Sequence, residues 1–333
     1  MAEVKQIAVA EKEDGQRLDR WFKTHFPALT HGRLEKLLRT GQIRVDGGRA
    51  KANTRLEAGQ TVRIPPLPAE TDAAPKPAPK PKKPTSEKDA QWLQSLVIHK
   101  DPDVLVLNKP AGLAVQGGTK TEKHLDGMLD ALTFGASERP RLVHRLDRDT
   151  SGVLVLARSA KAAAALGAAF KSKETQKLYW ALTVGVPKPR QGTVNLALAK
   201  QGGQGRERVH VVDEADDDAK QASTDFVVVE AAGQKLAFVA LMPMTGRTHQ
   251  LRAHMAAIGC PIVGDGKYGG AEAHPGGEIP RALHLHARAL AIPHPKGGSL
   301  QVSAPLPPHM HTSWKLLGLS ESLDGDPFAL FER

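Results

Sequence analysis

This chain predicts an α+β protein of two unequal units, the larger built on a mixed, mainly antiparallel sheet with helices packed against it. From Pro65 to Pro84, eight of 20 residues are Pro and four are Lys. Proline has no amide donor and a fixed φ, so this run forms neither a helix nor a central strand. It divides the 333 residues into an N-terminal unit over 1–65, a spacer over 66–92 and a C-terminal unit over 93–333. Beyond it, strand-like and helix-like stretches alternate without the regular strand–helix–strand rhythm of a doubly wound parallel sheet. Before it, two helical stripes lead into a hairpin signal.

In the N-terminal unit, Leu18, Trp21 and Phe22 recur at helical spacing in QRLDRWFKTHF. Thr30 can cap a second helix through HGRLEKLLR, with Leu34, Leu37 and Leu38 on one face and Arg33, Lys36 and Arg39 on the rest. Gly41 ends it in the left-handed manner. Ile43 to Val45 reads as a short strand and Asp46-Gly47 as a hairpin turn, and Val62 and Ile64 alternate in a closing strand. The apolar stripe is core. The basic face is either solvated or docked on phosphate.

In the C-terminal unit, Val104 to Leu107 is a β-branched run ending at the turn Asn108-Lys109-Pro110, and Val153 to Ala157 is a buried strand. Ser159 can cap the Ala-rich helix AKAAAALGAAFKS. Leu178 to Val186, Phe226 to Glu230 and Lys235 to Met242 read as strands, and Thr248 to Ile258 as a helix with Leu251, Met255 and Ile258 on one side.

Composition narrows the function classes. Hydrophobic residues make up 40% and charged residues 25%, an ordinary globular balance. The net charge is +10, which fits either a polyanionic partner or a basic surface used for solubility. Residues 1–65 hold 13 Lys/Arg against 8 Asp/Glu, so a fifth of the chain carries half of the excess. The single Cys260 excludes an internal disulfide framework and every multi-cysteine zinc site, and implies a reducing compartment such as the cytoplasm. No stretch approaches the ~18 apolar residues of a membrane helix, and charges interrupt the N-terminal segment as no signal peptide allows. Aromatic residues are only 4%, too few for a binder built on many stacking platforms. The spacing of His249 and His254, and of His284 and His286, completes no metal site, so no metal is expected. The acidic run Asp213, Glu214 and Asp216 to Asp218 lacks the glycine spacing of a calcium loop and reads as a solvated hairpin tip. Cys260, followed by Pro in apolar surroundings, reads as packing. The proline-rich run is either a semi-rigid spacer or a ligand for a partner that reads proline-rich segments.

The densest polar segment is His144-Arg145-Leu146-Asp147-Arg148-Asp149-Thr150-Ser151-Gly152, running straight into the buried VLVLA strand. Thr-Ser-Gly turns the chain, so Arg145 and Asp147 sit at a strand mouth, on one side if the segment is extended. From the pattern alone this is either a site or a loop with a surface ion pair.

HRLDRDTSG resembles the signature of the pseudouridine synthases that act on large-subunit ribosomal RNA and some tRNAs. NKPAGLAVQGG, QKLYWALTVG, KQASTDF and MTGRTHQLRAHMAAIGCPIVGDGKYG resemble further segments of that family, in the same order over about residues 95–305. RLDRWF, HGRLEKLLRTGQIRVDG and AGQTVRIP resemble an S4 RNA-binding domain over about residues 15–65. The resemblance implies the pseudouridine synthase fold, no cofactor, and isomerisation of uridines in 23S ribosomal RNA or its precursor particles by a cytoplasmic monomer. Two alternatives stand beside it: the same chemistry on tRNA, and a non-catalytic RNA-binding or ribosome assembly factor.

By motif position the resemblance makes Asp147 the catalytic aspartate, Arg252 the arginine that pairs with it, and Tyr179 the active-site tyrosine. It makes Arg145 the residue that fills the space left by an extruded nucleotide. Lys109 and Arg247 are expected at phosphates. The chemistry is coherent: breaking an N-glycosidic bond and rejoining C5 to C1′ needs an ionised carboxylate, and a cation keeps it so in a pocket. One departure is Gln116, which stands where related sequences carry His.

Overall fold

The structure, a computed structural model, describes residues 4–67, 85–118, 123–172, 174–201, 208–213, 219–323 and 325–326. Most of the proline-rich run and residues 214–218 of the acidic run lie outside them. The chain forms two compact units, Met1–Lys82 and Lys83–Arg333.

In the first unit, helices α1 (Leu18–His25) and α2 (His31–Arg39) pack on a four-stranded antiparallel sheet in the order β1-β4-β2-β3. These strands are β1 (Lys5–Ala8), β2 (Arg44–Val45), β3 (Gly48–Arg49) and β4 (Thr61–Ile64). The sequence reading misses β1, a short and mostly exposed edge strand with little apolar alternation. Leu18, Trp21, Phe22, Leu34, Leu38, Ile43, Val62 and Ile64 close one core. Each such side chain contributes roughly 1.5–3 kcal/mol when fully buried. Thr30 holds the N-cap position of α2 but its hydroxyl accepts no helix amide. Asp46 and Gly47 turn the β2–β3 hairpin, both with positive φ. Arg33, Lys36 and Arg39 are exposed on α2.

The second unit opens with α3 (Glu87–Ser95), which corrects the expected boundary at 92. Ser86 Oγ accepts from Asp89 N at 3.2 Å to cap it, and Leu93 anchors it in the core. Then follow β5 (Val97–Lys100), β6 (Val104–Lys109), the short α4 (Leu125–Met128), β7 (Arg141–Leu142), β8 (Ser151–Ala157), α5 (Ala160–Ala169) and β9 (Gln176–Val184). The chain continues through β10 (Gln191–Asn195), β11 (Leu198–Gln201), β12 (Arg208–Val211), β13 (Ser223–Ala232), β14 (Leu236–Pro243), α6 (Gln250–Ala257), β15 (Leu285–Pro293), β16 (Ser299–Ser303) and α7 (Pro308–Leu317).

A ten-stranded sheet runs β10-β13-β14-β9-β15-β8-β6-β5, with β16 on β15 and β7 on β8. Only the β15–β8 pairing is parallel, so the sheet is mixed and mainly antiparallel. Alternation along the strands sends side chains to two helical layers. On one face, Trp180, Leu182 and Phe238 pack on Trp314 of α7, and Val153 and Val155 on α5. On the other, Leu154 and Leu156 pack with α3 and α4, and Ala181, Val239 and Leu241 with Leu251 and Met255 of α6. Tyr179 touches both clusters of this second face.

The parallel junction sets the site. Ala287 of β15 lies opposite Gly152 of β8 on one side and Tyr179 of β9 on the other. Gly152 has φ +111°, and a Cβ there would lie 2.2 Å from the Ala287 carbonyl oxygen. Only glycine lets the two backbones approach so closely, which is why the polar loop ends in it. The sequence reading does not foresee β15, whose apolar positions are largely Ala interleaved with His and Arg. No helix among the described residues is long and apolar enough to cross a membrane.

Candidate active site

A cleft of about 680 Å³ opens between the loop 143–150, the β9 tyrosine and the start of α6. Arg145, Asp147, Tyr179, Arg247 and Arg252 all line it, although they are spread over more than 100 residues of sequence. Leu146, between Arg145 and Asp147, turns into the core and anchors the loop.

Asp147 is partly exposed, its carboxylate Oδ2 lying 3.9 Å from Arg252 Nη1 and 3.8 Å from His249 Nε2. The expected pairing of Arg252 with Asp147 is present, but as the longer of two ion pairs. Arg252 donates its Nε and Nη2 to the two oxygens of Asp265, at 2.7 and 2.8 Å, and meets Asp147 only through the remaining nitrogen. Asp265 is buried and also accepts from the backbone amides of Lys267 and Tyr268. Burial works against the Arg252 charge, but bonding to Asp265 and the charges of Asp265 and Asp147 outweigh it and raise its proton affinity. The carboxylate of Asp147 thus faces a fixed cation without being closed into a fork.

Gln250 locks the loop before α6. Its amide oxygen accepts from Thr245 Oγ1 and Arg247 N, and its amide nitrogen donates to Ser223 O and Thr224 Oγ1. All four capacities are used, so the loop is held at both ends. Burial, reinforced by the charge of Asp147, pushes the Tyr179 hydroxyl up, so it stays a phenol. Arg145 is exposed and donates from Nη1 to Gln116 Oε1 at 2.9 Å, so the glutamine at this position holds the arginine. Arg247 is exposed at the cleft and donates from Nε to Gln221 O.

The expectation of a phosphate contact at Lys109 is overturned. Its side chain is fully buried, and its Nζ donates to the carbonyls of Pro110, Leu113 and Arg148, each at 2.9 Å. Burial pushes this ammonium down to about 8 against the charges of Asp149 and Asp147. Lys109 ties the segment 110–113 to the loop that carries Asp147.

Three buried histidines hydrogen-bond within the protein. His254 bonds Thr224 Oγ1 and Leu196 O, His284 bonds Ala282 O and Ser313 Oγ, and His286 bonds Ser151 Oγ and Ala304 O. Cys260 packs in the core beneath α6.

Residues 103–257 match the model of the RNA pseudouridylate synthase family. The ribosomal large subunit pseudouridine synthase C of Rickettsia prowazekii is 35% identical over 303 residues, covering 87% of this chain and 94% of that protein. The protein of the same name from Salmonella typhimurium is 36% identical over 324 residues, covering 91% and 93%. The chain belongs to the RNA pseudouridylate synthase family. The solved structure of human RNA pseudouridylate synthase domain containing 4 agrees, with 30% identity and a TM-score of 0.58 over 69% of this chain and 96% of that one.

The synthase therefore isomerises uridine to pseudouridine in RNA. Asp147, Tyr179 and Arg252 fall inside the family match, whereas Asp265 and Tyr268 fall just beyond it. Sequence reasoning missed both. A signal for Tyr268 was present, since the chain has only two tyrosines: Tyr179 lines the cleft and Tyr268 stands behind it against His249. Asp265 has no comparable signal, being a lone carboxylate after the apolar run CPIVG.

Proposed function

We propose that this synthase modifies uridines of 23S ribosomal RNA, free or in precursor particles, as a cytoplasmic monomer with Asp147 as its catalytic carboxylate. The observation that carries this reading is the carboxylate of Asp147 in an open cleft, facing an arginine already held by another acid. The names of the relatives support ribosomal RNA as the substrate.

A uridine flipped from its stack enters the cleft, and Arg145 fills the space it leaves, offsetting part of the lost stacking. Asp147 attacks the sugar or the pyrimidine, or assists elimination at the sugar. The C1′–N1 bond breaks with its electron pair on the base, the base turns, C5 bonds to C1′, and Asp147 leaves with its electron pair as the free carboxylate, returning any proton it took from the sugar. C5 then gives up its proton and N1 regains one, so the net change is isomerisation without redox change. Arg252 supports the anionic Asp147 throughout. Tyr179 offers a ring for stacking. Its hydroxyl stays protonated in the free protein, and it takes part in the proton transfer at C5 directly or through water.

The first unit acts in this reading as an S4-like RNA-binding module. Its exposed Arg33, Lys36 and Arg39 and its share of the net charge support this, and affinity then falls steeply with salt. The test is pseudouridine mapping of 23S and transfer RNA from cells with the gene, without it, and carrying Asp147→Ala. Loss of specific 23S sites in both altered strains is expected. Unchanged 23S sites, or full modification by Asp147→Ala, overturn the reading.

A further inference from the structure

One residue of the cleft, His249, has no part in the mechanism above. His249 stands at the N-cap of α6 with φ 51° and ψ 21°, a left-handed conformation. Besides His249, only Asp46 and Phe134 among the described non-glycine residues have positive φ. Asn, Asp and His reach this region more readily than other side chains, yet it is uncommon for them all. Non-glycine residues held there cluster at functional sites, where the surrounding structure enforces them.

What the conformation achieves is visible in the contacts. His249 lines the cleft, and its Nε2 lies 3.8 Å from the Asp147 carboxylate. Its Nδ1 lies 2.9 Å from the Tyr268 hydroxyl. That hydroxyl already accepts from the backbone amide of Val209 at 3.0 Å. A phenol has a single proton to donate, and the acceptor recorded beside it is His249 Nδ1. With the phenol proton on Nδ1, Nε2 carries the hydrogen that faces the cleft, the tautomer that the Asp147 carboxylate 3.8 Å from Nε2 also favours.

Tyr268 is itself fixed. It packs against the β11–β12 hairpin with Leu198 and Val209, and the guanidinium of Arg252 sits 5.2 Å from its ring centre. The imidazole thus has its rotation, tautomer and direction set by neighbours that also hold Arg252.

We propose that His249 is a further catalytic residue, whose Nε2–H donates a hydrogen bond to a carbonyl oxygen of the pyrimidine after it leaves C1′. The proposal rests on the reading of the cleft as a uridine pocket. When the C1′–N1 bond breaks, the base takes the electron pair, and the negative charge spreads from N1 onto its carbonyl oxygens. A fixed neutral donor stabilises that charge without transferring a proton, so the proton balance of the isomerisation is unchanged. Neutrality is supported by the surroundings. Burial pushes the His249 imidazole down, and although Asp147 and Asp265 pull the other way, the charges of Arg252 and Lys267 add to the effect. A neutral imidazole also avoids pairing permanently with Asp147, which must stay free to react.

The test uses single-turnover release of tritium from C5-tritiated uridine in a 23S transcript, with full-length protein in saturating excess, beside a binding measurement on the same RNA. His249→Asn keeps a residue that tolerates positive φ but ends short of Nε2. It is expected to slow the maximal rate on the order of 100-fold, as loss of one charge-stabilising donor does elsewhere, with RNA affinity changed less than threefold. His249→Gln, which returns an N–H near the Nε2 position, is expected to recover roughly a tenth of the wild-type rate. Tyr268→Phe, which frees the tautomer, is expected to slow the rate by about threefold to tenfold. A His249→Asn protein within threefold of the wild-type rate overturns the proposal, as does a loss carried wholly by RNA affinity. If His249→Asn does not fold, wild-type rates for both His249→Gln and Tyr268→Phe overturn it. Asp147→Ala separates the two readings. A silent Asp147→Ala beside a fully active His249→Asn removes only the role of His249, whereas an active Asp147→Ala removes the uridine pocket itself.

Discussion

Asp265 grips Arg252 through its Nε–Nη2 edge, at 2.7 and 2.8 Å, and leaves the third nitrogen 3.9 Å from Asp147. The two acids compete for one cation. The buried acid wins the bidentate geometry, and the acid in the cleft meets Arg252 and His249 only through Oδ2, at 3.9 and 3.8 Å. A carboxylate locked in a two-bond fork is a poor nucleophile, so this division of contacts bears directly on reactivity.

Asp265→Asn tests that division. The variant keeps the shape but leaves a buried guanidinium without its counter-charge, a change that costs about 3–5 kcal/mol when a buried pair is broken. Arg252 is then drawn onto Asp147. A lower melting temperature is expected, together with at least a tenfold slower turnover at nearly constant RNA affinity. Thermal melting and single-turnover kinetics on one preparation check it. Unaltered melting and rate would show that Asp265 holds nothing.

Gly152→Ala tests the parallel junction that seats the loop bearing Asp147. The added methyl meets the Ala287 carbonyl at 2.2 Å, and the backbone at φ +111° is strained for any L side chain. Separating β8 from β15 at this point displaces the loop bearing Asp147. The variant is expected to lose about 1–3 kcal/mol or more in denaturant unfolding, with loss of activity. A wild-type unfolding midpoint contradicts the account.

Lys109→Met removes the donor shared by three carbonyls while also removing a buried charge. The lost bonds outweigh the relieved desolvation, and a net loss of about 1–3 kcal/mol is expected. The pH dependence gives a second reading. The folded ammonium titrates near 8, below its ordinary 10.5, so the unfolded chain binds the proton more tightly between those values. Stability from this residue therefore rises as pH climbs through that window, and Lys109→Met removes that rise. Urea midpoints from pH 7.5 to 10 measure both.

His284 and His286 are fully buried and neutral, each pushed by burial down to about 4 from 6.5. The unfolded chain takes up protons below pH 6.5 that the folded chain refuses until near 4. Their contribution is full above 6.5 and is lost as pH falls toward 4, by about 1.4 kcal/mol per pH unit for each residue. Urea midpoints at pH 7.5, 6 and 5 should fall in that order. A flat series would mean that these rings are not neutral in the fold.

Much of the local chemistry was legible, although Thr30 makes no capping bond. The stripe Leu18, Trp21, Phe22 became α1, Ser159 caps α5 through Ala162 N, and Tyr179 stands in a strand whose alternate residues face opposite layers. Each of these is decided by neighbours a few residues away, through helical or strand periodicity or one capping bond. The central strand β15 was not legible, because Ala, His and Arg carry little strand preference and only its pairing with β9 and β8 makes it one.

The sequence by itself determined the two units, the mainly antiparallel sheet and the polar loop delivering Asp147 to the mouth of a buried strand. Only the tertiary structure decided that Arg252 belongs first to Asp265, that Lys109 ties the backbone instead of meeting phosphate, and that His249 turns its ring toward Asp147. The physical reason is that a charge or a donor is written in the sequence, whereas its partner is chosen by distance. Residues more than 100 positions apart acquire a distance only when sheet and helix have packed.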